Sequence, residues 1–372
     1  MRLRPLDWAA RLLSRLFRRA PRTPASTPPE PSERNVSFRG ERVPDKLYLD
    51  DEFEPVLGQH IIDSGSFGSI HIKKRKIDHL VVAIKYLRYS DDAEKNAAMD
   101  RVMEKEVTPL LMCKHPNIIK VYGLSRDPVS GGVGIVTTFA DKGALCAYLN
   151  TKIPPTHRYK ILCDVAAGLE YLHSLPTGGD QVGVAHGDLH PWLTEHQGNV
   201  LIKTDGGAVT AMLGDFGLCK LVDLQGLTSV SQRPNGVPGV PAYVGPELYR
   251  SEELGQVVVP EVEQQPKYAG RRTVKADVFA FGMLAFTTLG GDIKPALCGG
   301  SDKVNNLLIG IAIVRGSRPL REHVPLSEGQ EGYWDVIRTC WQGDASKRPT
   351  IVDVRAALSQ IAPDARHAVV AE

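Results

Sequence analysis

Chemistry is first suggested by a lysine in apolar company. "HLVVAIKYLR" (79–88) has the composition of a buried strand, yet it carries Lys85. An ammonium group there needs a partner or a ligand. Glu106 can be that partner. It lies in "SDDAEKNAAMDRVMEKEVTPLLMCKHPNII" (90–119), a helix-like stretch with Ser90 as N-cap and Asp91, Asp92 and Glu94 in the first turn. The same two residues would also suit a purely structural ion pair. Upstream, "HIIDSGSFGSIHI" (60–72) alternates apolar residues on both sides of a glycine-containing turn. It reads as strand, turn, strand, with Gly65 and Gly68 letting the backbone approach a ligand, although such glycines also suit a plain hairpin. Downstream, "HGDLHPWLTEHQGNVLI" (186–202) holds Asp188 and Asn199 with ten residues between them, and "GDFG" (214–217) holds Asp215 in what can also be an ordinary turn.

The elements that must position these residues need a real core. The chain has 372 residues, of which 42% are hydrophobic, enough for one large two-lobed domain or two small ones. No apolar run is long enough to span a bilayer. Cys113, Cys146, Cys163, Cys219, Cys298 and Cys340 are scattered with no CxxC or metal-ligand spacing, as expected of free thiols in a reducing compartment. The net charge of +2 conceals a tail of +6 over residues 1–22, which leaves −4 for the rest. That balance gives the body no basic surface, so no nucleic-acid partner is expected.

The order of motifs resembles the eukaryotic protein kinase domain. Gly65-x-x-Gly68-x-Ile70 is followed by Val82-Ala83-Ile84-Lys85, then by Glu106 nine residues before "HPNII". "HGDL" (186–189), Asp215-Phe216-Gly217, Gly245-Pro246-Glu247, "KADVFAFG" (275–282) and "CWQGDASKRPT" (340–350) come next, in the family's order. "HPNIIKVYG" and the "CW…RPT" end resemble the tyrosine-kinase-like group, whose members mostly phosphorylate Ser and Thr. The resemblance covers about residues 54–362. It implies an α+β, two-lobed fold: a small antiparallel β-sheet lobe at about 54–138, and a larger, mainly helical lobe at about 141–362.

The same resemblance implies roles. Lys85, aimed by Glu106, would grip the α- and β-phosphates of ATP under the turn Gly65-Ser66-Phe67-Gly68. Asp215 and Asn199 would hold Mg²⁺, and Asp188 would accept the proton of a protein substrate's hydroxyl. Ile62, Ile70, Ala83 and Leu201 would sandwich the adenine. The backbone of Thr138 and Ala140 would bond its edge, with Thr137 at the back of the pocket. His186 is expected as a packed core histidine stacked with Phe216 and Leu110. Asp277 would bond the catalytic loop from below, and Arg348 would pair with Glu247.

Several positions depart from the family's pattern. Asp63 replaces the first glycine of the phosphate loop. Pro109 should kink the helix that carries Glu106. Gly187 stands where many kinases have an Arg that answers an activation-segment phosphate. His190 replaces a lysine that contacts the γ-phosphate, and Val240 replaces a threonine beside the catalytic Asp. The largest departure is in the catalytic loop, where the family places four residues between Asp and Asn. Removing "WLTEHQ" (192–197) restores that spacing. The segment therefore reads as an insertion into an intact loop, either left by a misplaced splice boundary or bulging from the surface. His190, Glu195 and His196 could suggest a metal site, but such mixed spacing more often belongs to a solvated loop. A second insert, about 254–270, reads as a surface loop.

Three functions compete. The leading one is an ATP- and Mg²⁺-dependent kinase acting on Ser/Thr of proteins. The second is a pseudokinase or scaffold disabled by the insertion. The third, a small-molecule kinase of the aminoglycoside type, is disfavoured by Gly245-Pro246-Glu247 and "CW…RPT". Outside the domain, residues 1–20 form a basic amphipathic helix, with Leu6, Leu13, Leu16 and Phe17 on one face and Arg4, Arg11, Arg15 and Arg18 on another. This suits a membrane-surface contact, a mitochondrial targeting segment or a solvated tail on a cytoplasmic protein. Residues 21–53 read as a Pro-rich linker and 363–372 as a tail.

Overall fold

A computed structural model of the chain describes residues 37–38, 41–42, 47–55, 61–65, 68–87, 92–128, 130–175, 183–191, 198–214, 240–249, 273–298, 306–326 and 330–361. The amphipathic segment 1–20, Ser66, Phe67, the insert 192–197, Asp215, Phe216, the stretch 254–270 and the tail 363–372 lie outside the described residues. So do the side chains of Ile62 and Glu106.

A short hairpin, β1 (Ser37–Phe38) with β2 (Glu41–Arg42), precedes the main sheet. That sheet is antiparallel and contains β3 (Phe53–Pro55), β4 (Ile61–Gly65), β5 (Gly68–Arg75), β6 (Val81–Leu87), β7 (Val121–Arg126) and β8 (Val133–Thr138). Its order is β3-β5-β6-β8-β7, with β4 on β5 and Gly65 opposite Gly68 across the turn. Strand β6 shows how alternation sorts side chains. Val82, Ile84 and Tyr86 are buried with Leu49 and Val136 on one face, which turns Ala83 and Lys85 to the other. Directly opposite Lys85 lie Ile70 and Ile135, and directly opposite Ala83 lie Ile72 and Thr137.

Helix α1 (Ala93–Leu111) packs against the sheet through Met99, Met103, Val107 and Leu110. Asp92 precedes its first residue, and its carboxylate accepts the amide of Glu94 at 3.0 Å; Ser90, the expected cap, lies outside the described residues. Its last residue is Leu111, ahead of His115-Pro116, and it runs through Pro109. Pro109 removes one backbone N–H, but it sits in the last turn, and burial of the apolar stripe holds the helix together. Residues 47–49 pack on the sheet, next to the start near Tyr48 to Phe53 that the end of the Pro-rich stretch suggests. Leu49 is buried and Leu47 packs on the core, because their apolar side chains find cover on the sheet.

The larger lobe contains α2 (Leu145–Leu149), α3 (Pro155–Ser174), the hairpin β9 (Val200–Asp205) and β10 (Ala208–Leu213), α4 (Val274–Thr288), α5 (Ile293–Cys298), α6 (Asn306–Val314), α7 (Glu331–Cys340) and α8 (Ile351–Ile361). Helix α4 is apolar on every side and is accordingly buried on every side. The "HPNII" segment ties the lobes together. Asn117 accepts the amide of Leu213 at 2.9 Å, and its side chain donates to Ala211 O at 3.0 Å. Among the described cysteines, Cys113, Cys146, Cys163 and Cys340 form no disulfide.

One fully buried ion pair braces this lobe. Arg348 donates both terminal nitrogens to the two oxygens of Glu247, each at 2.7 Å, and both side chains are 0% exposed. Its remaining donors reach Gln342 O and Lys275 O, and its guanidinium lies over Phe279. With every donor satisfied the pair is tolerated, and removing one partner strands a buried charge. Glu247→Ala or Arg348→Ala should each lower stability in urea unfolding by about 3–5 kcal/mol, and the double change to Leu and Met should cost less than either single change.

Candidate active site

The catalytic-loop residues are held from beneath by a carboxylate. Asp277, 1% exposed in the first turn of α4, accepts the backbone amides of His186 at 2.7 Å and Gly187 at 2.8 Å. His173 of α3 donates from Nε2 to the same carboxylate at 2.8 Å. The helix N-terminus adds a favourable partial positive charge. Nothing in the sequence marks His173 for this contact, because it reads as one more polar position in an amphipathic helix.

His186 is buried, as expected, but hydrogen bonds fix it. Its Nδ1 accepts the Asp188 amide at 3.3 Å, and its Nε2 donates to Gly214 O at 3.1 Å. Burial lowers its pKa from the usual histidine value, so the ring is neutral with the proton on Nε2. Gly214 also donates its amide to Asn199 O at 3.0 Å. The residue just before Asp215 is thereby bound to both arms of the catalytic loop; Asp215 itself lies outside the described residues.

Asp188 and Asn199 meet. Asn199, 5% exposed, donates from Nδ2 to Asp188 O at 2.6 Å and to Asp188 Oδ2 at 3.2 Å. The same nitrogen lies 3.2 Å from His190 Nε2, and the backbone amide of Asn199 donates to His190 O at 3.4 Å. His190 is 1% exposed and turned into this cluster, with Nε2 3.7 Å from Asp188 Oδ2. Its imidazole is thus packed within the loop core. With its nitrogen turned to Asp188, the Asn199 amide presents its oxygen elsewhere. That oxygen is a hard donor suited to a divalent cation.

The neck of the insertion is closed. A Cβ on Gly198 would overlap the carbonyl oxygen of Pro191 and lie 2.9 Å from Ala144 Cβ. The chain therefore leaves at Pro191 and returns at Gly198 with the two backbones in contact, which only glycine permits. The spacing restored on removing 192–197 makes Pro191 and Gly198 neighbours, in keeping with this contact.

Ile70, Ala83 and Lys85 share one face of the sheet, and the Thr137 hydroxyl donates to Ala83 O at 3.4 Å. Leu201 bridges to Ala144 at the start of the hairpin. Thr138 ends β8, and Ala140 begins the turn that follows. Asp188 and His190 also line a small cavity with Val240, Tyr243, Val244 and Ala276.

The protein kinase domain family matches residues 58–358. The chain belongs to that family. Its two lobes, antiparallel sheet and helical body are that family's fold. It is 30% identical over 285 residues to Serine/threonine-protein kinase PkaA of Streptomyces coelicolor, covering 76% of this chain and 43% of that protein. It is 27% identical over 305 residues to Serine/threonine-protein kinase VIK of Arabidopsis thaliana, with 81% and 59% covered. It is 25% identical over 312 residues to Receptor-interacting serine/threonine-protein kinase 3 of Rattus norvegicus, with 81% and 55% covered. The chain spans about half the length of these relatives.

The closed neck makes two changes separable. Deleting 192–197 returns the loop from ten intervening residues to four and should change stability by only about 0.8 kcal/mol, the difference in closure entropy. Gly198→Ala should cost about 1–3 kcal/mol by forcing the neck apart. Urea unfolding of both variants checks the pair; a large loss on deletion would show that the insert carries packing of its own.

Proposed function

We propose that this chain is a protein kinase that transfers the γ-phosphoryl group of ATP to Ser or Thr hydroxyls of proteins. The observation that carries the reading is the meeting of Asp188 and Asn199 across a closed neck. An insertion that separated them would remove the loop's ability to hold both the acceptor hydroxyl and a metal.

In the proposed reaction the substrate oxygen forms a bond to the γ-phosphorus, the bond to the β-phosphate oxygen breaks, and ADP departs. The Asp188 carboxylate takes up the hydroxyl proton. Lys85, backed by Glu106, neutralises α- and β-phosphate oxygens, and the turn 65–68 covers them. Ile62, Ile70, Ala83 and Leu201 enclose the adenine, with Thr137, Thr138 and Ala140 along its edge. Asn199 and Asp215 would hold the divalent ion, for which Mg²⁺ is the fitting choice given all-oxygen donors. Such an ion supplies charge neutralisation at the β- and γ-phosphates.

Two experiments test the reading. Lys85→Met and Asp215→Ala should each abolish phosphotransfer to a Ser/Thr peptide library while the protein stays folded by circular dichroism. The full chain and the form lacking 192–197 should bind MgATP and transfer phosphate at similar rates. A short form that binds MgATP but transfers nothing would replace the enzyme with a nucleotide-binding pseudokinase.

Regulation follows from position 187. Gly187 supplies no guanidinium to receive a phosphate on the activation segment, where Arg–phosphate pairs impose order. Phosphatase treatment should therefore leave the rate nearly unchanged, and a large fall would assign the task to another basic residue.

A further inference from the structure

Residues 47–55 precede the part of the chain that matches the family at 58–358, yet they are bound on three sides. Leu49 donates its amide to Leu124 O at 2.9 Å, and Leu124 donates to Leu47 O at 2.8 Å, so this strap runs parallel to β7. Gly123 has φ +155°, and a Cβ there would come within 2.6 Å of Leu47 O. The strap lies where only glycine leaves room for it. Farther along, Lys76 donates its amide to Glu52 O at 2.8 Å and its ammonium to Asp51 O at 2.9 Å. Strand β3 then pairs with β5, placing Glu54 opposite Lys74.

The third side is helix α1. The Tyr48 hydroxyl donates to Glu104 Oε1 at 2.9 Å and accepts from Arg126 Nη2 at 3.2 Å. Arg126 donates from Nη1 to Asp100 Oδ2 at 3.3 Å, and its guanidinium lies 4.7 Å from the centre of the Tyr48 ring. Its backbone amide donates to Asp50 Oδ1 at 2.6 Å. Burial and the Glu104 carboxylate raise the phenol's pKa above its ordinary value, which keeps it protonated as the donor.

These contacts act on rotation of the helix. Met99, Met103, Val107 and Leu110 attach α1 to the core through apolar burial, which is non-directional. Asp100 and Glu104 sit one turn apart on its flank and are held by directional bonds. Position 106 falls, by helical spacing, on the face of the apolar stripe. Turning the helix by about 25° would move a Cα by roughly 1 Å at the helix radius of ~2.3 Å. An error of that size at a phosphate-gripping pair can cost about 100-fold in rate.

We propose that Tyr48, working through Arg126, is a positioning residue for phosphotransfer: the strap sets the rotation of α1 and so the pairing of Glu106 with Lys85. This rests on the kinase reading of the site. It makes the segment ahead of the matched domain part of the catalytic apparatus.

The test uses the full chain, MgATP, and the variants Tyr48→Phe, Tyr48→Ala and Arg126→Ala. Tyr48→Ala and Arg126→Ala should lower kcat/KM for ATP by about 10- to 100-fold and leave KM for the peptide unchanged. Tyr48→Phe keeps the ring under Arg126 but loses the hydroxyl bonds, so it should fall between wild type and Tyr48→Ala. Amide exchange over 93–111 should quicken in Tyr48→Ala while exchange over 274–288 stays as in wild type. Unchanged kcat/KM for ATP in Tyr48→Ala, or faster exchange in both helices alike, would overturn the proposal. If wild type transfers no phosphate, the kinase reading fails separately. Exchange over 93–111 then decides the strap alone: quickening in Tyr48→Ala upholds it, and no change removes it.

Discussion

The buried carboxylate of Asp277 is the point on which the site depends. A charge at 1% exposure is tolerable only with its lone pairs filled, and here two loop amides and one imidazole fill them. Those bonds draw His186 and Gly187 onto the first turn of α4, the most thoroughly buried helix described. Once His186 is fixed, its ring holds Asp188 on one side and Gly214 on the other. The loop and the strand end that precedes Asp215 are thus positioned by one group in the core. This is the kind of supporting shell that accurate catalytic geometry requires.

Among the described residues, both ends of the insertion are held by contacts within the loop core. Asn199 is bonded to Asp188, His190 and Gly214, and Gly198 rests on Pro191. Lengthening a loop between fixed ends costs only a logarithm of its length. The His190 imidazole packs inward, with Nε2 3.2 Å from the Asn199 amide nitrogen.

The strap gives the small lobe what its sheet alone does not. Apolar packing keeps α1 on the sheet, and directional bonds from Tyr48 and Arg126 reach Glu104 and Asp100 on its flank. Along the same edge Glu54 stands opposite Lys74, and the Lys76 ammonium donates to Asp51 O. An edge strand covered in this way is also protected from pairing with other chains.

The sequence by itself determined the family, the order of the elements and the residue types available for chemistry, because each motif is local. Lys85 in its apolar strand, the glycine turn at 65–68 and Asp215 in its turn are legible over a few residues. Glu247 and Arg348 were legible as partners only through resemblance, since a hundred residues separate them and periodicity says nothing about such pairs. The far end of α1 was read less well, since the helix-like stretch 90–119 ends as helix at Leu111. That Asp188 and Asn199 share a site was already suggested by the spacing restored on removing 192–197, whereas tertiary structure alone decided that His190 faces inward, that His173 supports Asp277, and that Tyr48 and Arg126 reach the flank of α1. Each of the latter depends on which atoms come within hydrogen-bond reach after the chain has closed on itself, and spacing along the chain carries no record of that distance.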